Sequence, residues 1–421
     1  MTVAVAVLYR KTARTSFHAL VGAQETAADL TSIPVHFAPD AAALERAIRQ
    51  ERAAGRRVLV GWSFYSPEVF EVGQIFRQIL GACGRQGVLH VAGGVHASAE
   101  PLATLRMGFD LVAIGEGETT WIHLLRALLA GDDPRSVPGL AWEEDGLLRD
   151  RGRAETRDLD VYPSFAMAHG RWGAIEITRG CIYACRFCQT PYFFKARFRH
   201  RSVESVQDHA RYLRRHGQRD VRFLTPTSLS YGADGEEPRL DRVEALLRGV
   251  RDAIGPDGRI FFGSFPSEVR PEHVTPEAIR LLRPLVANEA LLIGGQSGSQ
   301  RMLDATRRGH SAASILEAAR LAREGGFVPH IDFLFGMPGE EEDDATASRA
   351  LMQELVRLGA KVHAHTFLPL PGTPLRDAEA GALDPATALH LERLASRGLA
   401  YGQWRRQRAV AEQLVQLRRA R

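Results

Sequence analysis

Short apolar runs alternate with amphipathic segments over the first 130 residues. The apolar runs, which predict strands, are residues 2–8, 34–38, 57–62, 88–92 and 110–114. Residues 40–52 and 67–83 have helical periodicity, and Asp40 is suited to cap the first of these helices. This alternation predicts a doubly wound α/β domain with a parallel sheet over residues 1–130.

Residues 131–172 lack this alternation and are rich in proline, glycine and acidic side chains. Residues 140–142 are apolar and precede an acidic turn that ends at Gly146, which predicts a small hairpin. We interpret the whole stretch as a linker between two domains.

The alternation returns from residue 173 with six strand-like runs: residues 174–178, 221–224, 260–263, 290–293, 330–335 and 362–367. Helical patterns between them cover, among others, residues 203–216, 241–254, 311–324 and 343–358. Six such units predict a partial TIM-like (β/α)6 barrel over residues 173–380. The remaining residues, 381–421, are basic and have a helical pattern, which predicts a C-terminal helical extension.

The composition is that of an ordinary globular protein, with 45% hydrophobic and 25% charged residues. No apolar run reaches the ~18 residues of a membrane span, and the first ten residues resemble a buried strand rather than a signal peptide. These features predict a cytoplasmic location without membrane association. Although the net charge is +4, only three of the 54 basic residues are lysine. We attribute the excess of positive charge to an arginine-rich composition rather than to a binding surface, and we therefore do not expect a nucleic-acid partner.

Three of the four cysteines lie within eight residues, as Cys181, Cys185 and Cys188. The spacing CxxxCxxC supplies three thiolates where an iron–sulfur cluster normally takes four. A zinc site would need a nearby histidine, and the next one along the chain is His200, twelve residues on. The motif therefore predicts a cluster with one iron open to another ligand.

With Phe187 before the last cysteine, this motif resembles the signature of the radical S-adenosylmethionine (SAM) superfamily. The resemblance implies a 4Fe–4S cluster whose open iron binds the amino and carboxylate groups of SAM. It also implies cleavage of SAM to a 5′-deoxyadenosyl radical, with electrons from a low-potential donor such as flavodoxin or ferredoxin. Phe187 would lie against the adenine, or it is an ordinary core aromatic.

Three glycine-bearing strings lie at the end of the third predicted strand and after the fourth and fifth, beginning at Gly61, Gly93 and Gly115. In this order they are similar to the cobalamin-binding domain that precedes many radical SAM domains, and the resemblance covers about residues 1–375. It implies cobalamin contacts from Ser63, Phe64, Gly93, Gly94, His96, Gly115, Glu116, Gly117 and Glu118.

The string Asp-x-His-x-x-Gly, which places a histidine on cobalt in methionine-synthase-like domains, does not occur. We therefore expect no protein histidine on cobalt. His96 either contacts the corrin or is a hydrogen-bonded residue of a tight turn. Glu116 and Glu118 have an alternative role as carboxylates favoured at a helix N-terminus.

Polar loops follow the barrel strands, where ligands of such barrels gather. Thr225-Pro226-Thr227 replaces the Gly-Gly-Glu run that many radical SAM proteins use for the methionine amino group. Arg270 has the fork geometry that suits a carboxylate. The candidate SAM contacts are Phe187, Thr225, Thr227, Ser264, Ser267, Arg270, Gln296 and Ser297. Ordinary loop hydrogen bonding is the alternative for the polar residues among them.

The leading hypothesis is a cobalamin-dependent radical SAM methyltransferase acting on an unactivated carbon of a small molecule or peptide. Alternatives are a radical rearrangement or cyclisation without methyl transfer, and a non-catalytic cobalamin sensor. Methylthiolation is less favoured, because that family needs three further cysteines and only Cys83 remains. The sequence identifies neither the substrate nor a catalytic side chain.

Overall fold

The computed structural model describes residues 2–419. The chain divides into two compact units between Gly173 and Ala174. This division falls where the alternating pattern of the predicted barrel begins. Within the described residues, no helix has the length and apolar character needed to cross a bilayer.

The first unit contains one seven-stranded sheet. Its strands are β1 (Val3–Leu8), β2 (Val35–Ala38), β3 (Arg57–Ser63), β4 (Val88–Gly93), β5 (Leu111–Ala113), β6 (Leu140–Glu144) and β7 (Leu147–Asp150). The order is β2-β1-β3-β4-β5-β6-β7, and the first five strands are parallel. The predicted parallel sheet is confirmed, and all six residues of β1 are buried because helices cover both faces.

Helices connect these strands: α1 (Arg14–Glu25), α2 (Ala41–Ala53), α3 (Val69–Cys83), α4 (Val95–Ala99), α5 (Pro101–Arg106) and α6 (Glu118–Ala130). The side chain of Asp40 accepts a hydrogen bond from the Ala43 N–H at 2.8 Å, as the sequence predicted for the start of α2. Cys83 ends α3 and is buried.

The predicted linker is wrong for residues 140–150. The hairpin of β6 and β7 is present, but β6 pairs antiparallel with β5, so that Val112 lies opposite Ala141. Leu140 and Ala141 are fully buried. The hairpin therefore covers an open edge of the sheet and belongs to the first unit.

The second unit is built on parallel strands. Its strands are β8 (Ile175–Glu176), β9 (Thr178–Arg179), β10 (Arg199–His200), β11 (Asp220–Leu224), β12 (Arg259–Phe261), β13 (Ala290–Gln296), β14 (Val328–Phe335), β15 (Lys361–Thr366) and β16 (Ala400–Gly402). Two parallel sheets, β8-β11-β12 and β13-β14-β15-β16, meet at a parallel bridge between Val269 and Ile293. Because β8 and β16 pair with no further strand in the described residues, the barrel is open.

The helices of this unit are α7 (Gln189–Phe193), α8 (Val203–Arg215), α9 (Leu240–Ile254), α10 (Pro276–Leu282), α11 (Gln300–Ala305), α12 (Ala312–Glu324), α13 (Glu342–Arg357), α14 (Pro385–Ser396) and α15 (Trp404–Arg419). Ser202 and Ser311 cap α8 and α12 through their side chains. The predicted C-terminal extension does contain helices, but β16 between them adds a strand to the barrel sheet. Only Ala400 of this strand is buried, and Tyr401 and Gly402 do not extend an apolar run that could have predicted it.

Candidate functional site

The loop that carries the three cysteines begins at the carboxyl end of the first barrel strand. Gly180, just before Cys181, has φ +84°, and a Cβ added there would lie 2.1 Å from the carbonyl oxygen of Arg197. Only glycine fits where the loop passes this backbone. The antiparallel pair of β9 and β10 holds the two sides of the loop together.

The three thiols of this loop are all free, and Cys185 is buried. Burial raises the pKa of Cys181 to about 12 and also raises the pKa of Cys188. Both thiols are therefore neutral without a metal and must release their protons when they bind one. Three unpaired thiols in one loop fit the predicted cluster.

A buried guanidinium lies beside these thiols. Nη1 of Arg308 donates to Sγ of Cys185 at 3.3 Å, and Nη2 donates to the carbonyl of Gly294 at 2.5 Å. A cation at hydrogen-bond distance stabilises a neighbouring thiolate. The sequence did not connect Arg308 with the cysteines, and the basic run Arg307-Arg308-Gly309-His310 was the only signal that could have indicated a role.

Arg270, predicted to bind the SAM carboxylate, contacts the cysteine loop. Its Cζ lies 3.5 Å from the ring centroid of Tyr183. Its guanidinium donates to the Glu272 carboxylate and to the carbonyl of Arg308. The structure therefore gives Arg270 a role in holding Tyr183 and Arg308, and its contact with SAM stays a prediction.

The threonine and serine hydroxyls predicted to meet SAM fall into two groups. Thr225 donates to the carbonyl of Thr227 at 3.1 Å, and Ser267 donates to that of Ser264 at 2.9 Å. The hydroxyls of Thr227 and Ser264 are buried and have no hydrogen-bond partner in the part of the chain that the structure describes. Because buried hydroxyls normally find partners, these two fit a polar ligand.

The remaining candidate SAM contacts are Gln296, Ser297 and Phe187, and the structure shows the local environment of each. Gln296 ends β13 after an irregularity in the strand and has φ +78°. Ser297 is buried and accepts the N–H of Ser299 at 3.1 Å, an internal loop contact. Phe187 is partly buried and packs against an apolar cluster that consists of Met302, Leu334, Met337 and Phe367. Its contact with adenine stays a prediction.

In the first unit, the turn after β4 packs closely on the end of β3. Gly94 has φ +91°, and an added Cβ would lie 3.0 Å from Oγ of Ser63 and 3.1 Å from the carbonyl oxygen of Phe64. A Cβ on Gly93 would make ordinary contact, 3.6 Å from that of Ala113. The strand ends thus meet as predicted for a doubly wound sheet, and internal packing alone explains why glycine occupies position 94.

His96 is buried, with 1% of its surface exposed. Its Nδ1 lies 3.0 Å from Oγ of Ser66, and its ring lies 5.5 Å from that of Phe64, which is also buried. These contacts favour the hydrogen-bonded turn residue over the corrin contact.

The third glycine-bearing string, which begins at Gly115, continues into the first turn of α6. The N–H of Gly115 donates to Oγ of Ser98 at 2.9 Å. A Cβ on Gly117 would lie 2.8 Å from a methyl carbon of Leu20, so this glycine has a packing role. Glu118 is buried in the first turn of α6, where its charge suits the helix N-terminus. Glu116 is partly buried, and its role stays a prediction.

Residues 175–351 match the sequence profile of the radical SAM superfamily. An uncharacterised methyltransferase of Pyrococcus horikoshii is 26% identical over 304 residues, covering 69% of this chain and 62% of that protein. A tRNA-2-methylthio-N(6)-dimethylallyladenosine synthase of Chlorobium phaeovibrioides is 35% identical over 234 residues, covering 54% of this chain and 50% of that protein. The chain thus spans less than two thirds of the length of either relative.

Two solved structures share the fold. TsrM from Kitasatospora setae, a radical S-adenosylmethionine methyltransferase with cobalamin and a 4Fe–4S cluster bound, gives a TM-score of 0.68 at 20% identity, covering 90% of this chain and 75% of that one. The cobalamin-dependent S-adenosylmethionine radical enzyme OxsB, with aqua-cobalamin bound, gives 0.65 at 17% identity, covering 83% of this chain and 52% of that one.

Proposed function

We propose that this protein is a radical SAM enzyme with three cofactors, because residues 175–351 match the sequence profile of the radical SAM superfamily. Cys181, Cys185 and Cys188 would hold a 4Fe–4S cluster, the barrel loops would bind SAM, and the first unit would bind cobalamin. The observation that carries this proposal is the set of three free thiols in one loop, with Arg308 at Cys185.

When bound, these cofactors supply a one-electron cleavage of SAM and a methyl group for transfer to carbon. The protein's own residues have simpler tasks. The guanidinium of Arg308 offsets negative charge at Cys185. The hydroxyls of Thr227 and Ser264, which are buried without a partner in the described residues, would donate to polar atoms of SAM, and Phe187 would cover its adenine and exclude water. Low-potential electrons would come from a flavodoxin or a ferredoxin.

Support for cobalamin comes from the first unit. Its parallel sheet carries the glycine turns at the carboxyl ends of β3, β4 and β5, where ligands of such sheets bind. Since His96 is buried against Ser66, we propose that cobalamin binds without a protein histidine on cobalt. The favoured reaction is methylation of an unactivated carbon, and the alternative is a cobalamin-dependent rearrangement or cyclisation.

Methylthiolation is a second candidate, because the Chlorobium phaeovibrioides relative is named for it. The family that carries out methylthiolation needs three further cysteines, which hold a second cluster. This chain has one further cysteine, Cys83, which is buried at the end of α3, and burial raises its thiol pKa. We therefore favour methyl transfer to carbon.

The experiment is anaerobic reconstitution with iron, sulfide and cobalamin, followed by incubation with a reductant, methyl-deuterated SAM and a metabolite or peptide extract. Mass spectrometry should detect 5′-deoxyadenosine and a product that carries the labelled methyl group. The matched controls are Cys185→Ala, which should form neither, and Cys83→Ala, which should form both. Deoxyadenosine without a labelled product would favour the rearrangement, and a product with added sulfur would favour methylthiolation.

A further inference from the structure

Two histidines and an aspartate converge on two barrel strands and have no task in the proposed function. Asp332 on β14 lies opposite His363 on β15, and His365 follows on the same face of β15, since alternate residues of a strand point the same way. Ligand atoms of the three side chains lie within 4.8 Å of one another. A set of ligand atoms on rigid strands is a suitable support for a metal ion.

The three side chains lie on the face of the sheet that is turned away from α15. On the opposite face, Oγ1 of Thr366 donates to the carbonyl of Trp404 in α15 at 2.9 Å. His363 and His365 alternate with Thr366 along β15 and are partly buried. The side chain of Asp332 is 5% exposed and that of His363 is 19% exposed. The set therefore opens to the barrel interior, with the aspartate at its base.

The distances within the set do not suit an ordinary hydrogen-bond network. Nδ1 of His363 lies 2.7 Å from Oδ1 of Asp332 and 3.3 Å from Nε2 of His365. A neutral ring nitrogen has either one hydrogen or one lone pair, so Nδ1 can make a full hydrogen bond with only one of its two neighbours. A cation between the three atoms would accept a lone pair from each of them.

We propose that Asp332, His363 and His365 bind a divalent transition-metal ion, zinc or iron(II), inside the barrel. Two imidazoles and one carboxylate are a donor set that both ions accept. Because these ions take at least four ligands, three protein ligands leave a position open. That position would bind an oxygen or nitrogen atom of a molecule in the barrel. The site is additional to the three cofactors of the proposed function.

The protonation of the three side chains agrees with metal binding. Burial lowers the pKa of His365 to about 4 and also lowers the pKa of His363. Both rings are therefore neutral at neutral pH, as metal ligands must be. Burial raises the pKa of Asp332 to about 7, since its negative charge is poorly solvated. A bound cation would stabilise the ionised carboxylate.

Gln407 of α15 controls how strongly the site can bind. Its Oε1 accepts the backbone N–H of Thr366 at 2.9 Å, and its Nε2 lies 3.2 Å from Nδ1 of His365. A metal ion on Nε2 of His365 leaves the ring hydrogen on Nδ1, where it needs an acceptor. The amide must then turn to present Oε1 to this hydrogen, and it gives up its bond to Thr366.

This cost predicts the effect of a conservative substitution. A glutamate at position 407 has two carboxylate oxygens and could accept the hydrogens of Thr366 and His365 together. Gln407→Glu should therefore bind the metal ion about fivefold more tightly, the equivalent of one retained hydrogen bond. A set held together only by hydrogen bonds would show no such gain, since it binds no ion.

Metal binding by the full-length Cys181/Cys185/Cys188→Ala protein tests the proposal, because the cluster thiols would also take up these ions. After dialysis against zinc, this protein should retain one zinc per chain. Cobalt(II) in its place should give the visible absorption of nitrogen and oxygen ligation, without thiolate charge-transfer bands. Asp332→Asn and His363→Phe, made in the same background, should each lower the affinity at least tenfold. The matched control is His330→Phe, two residues before Asp332 on the same face of β14, which should keep the affinity.

A parent protein that retains no stoichiometric zinc would overturn the proposal, as would equal affinity in Asp332→Asn, His363→Phe and His330→Phe. Unchanged or weaker binding in Gln407→Glu would contradict the assignment of His365 as a ligand. The cobalt spectrum of the parent decides the matter even where a variant does not fold. Since these measurements need neither the cluster nor SAM, their failure is distinct from a failure of the proposed function.

Discussion

Nη1 of Arg308 lies 3.3 Å from Sγ of Cys185, although 123 positions separate the two residues in the sequence. The guanidinium is buried, and its other terminal nitrogen is held by the carbonyl of Gly294. Arg308 therefore brings a fixed positive charge and a hydrogen-bond donor to a cysteine of the proposed cluster.

Replacing Arg308 by Gln should make the reduction potential of the reconstituted cluster more negative. The potential of an iron–sulfur cluster depends on its net charge and on hydrogen bonds to sulfur. The measurement is a redox titration followed by electron paramagnetic resonance. Arg307→Gln, which removes the neighbouring charge, is the matched control and should shift the potential less. Equal shifts in the two variants would show that the contact with Cys185 has no electronic effect.

Thr227→Val should weaken SAM binding without weakening the fold. The hydroxyl of Thr227 is buried and lacks a hydrogen-bond partner within residues 2–419, so its removal does not break an internal bond. Loss of one hydrogen bond of about 1 kcal/mol would lower the affinity about fivefold. Calorimetry with SAM and a thermal unfolding curve would measure both effects.

Ser267→Ala is the comparison for Thr227→Val. It removes an internal bond to the carbonyl of Ser264, which is 2.9 Å long, and should lower the unfolding free energy by about 1 kcal/mol. Unchanged SAM affinity in Thr227→Val would remove Thr227 from the SAM site.

Cobalamin should bind to the protein without an axial protein histidine. His96 is buried, and its Nδ1 lies 3.0 Å from Oγ of Ser66. The spectrum of bound cob(II)alamin should therefore show no nitrogen hyperfine splitting from an imidazole, both in the wild type and in His96→Ala. The variant should unfold at a lower temperature because it loses a buried hydrogen bond. A splitting that vanished in His96→Ala would make the assignment wrong.

Contiguous patterns allowed much of the fold to be predicted. The apolar runs predicted β1 and β3, and Asp40 predicted the start of α2, because strands and caps depend on neighbouring residues. The place of β6 was missed, since its pairing partner is about thirty residues away, in β5. For β16, the run of apolar residues was too short to recognise.

In the candidate site, too, features set by neighbouring residues could be predicted, whereas contacts between distant residues could not. Cys181, Cys185 and Cys188 lie in one loop, so their spacing alone indicated their chemistry. The contact of Arg308 with Cys185 depends on how separate parts of the barrel pack, because 123 positions separate the two residues. Arg270 was predicted to bind the SAM carboxylate, but a sequence could not show that Glu272 and Tyr183 already contact it.

The formation of 5′-deoxyadenosine from SAM tests the central claim most directly. The anaerobically reconstituted protein should contain about four iron ions per chain and should release 5′-deoxyadenosine when a low-potential reductant is added. Cys181→Ala, Cys185→Ala and Cys188→Ala should each lose the cluster and the product, and Cys83→Ala should keep both. An iron-loaded wild type that releases no 5′-deoxyadenosine, or equal product from Cys185→Ala, would contradict the account.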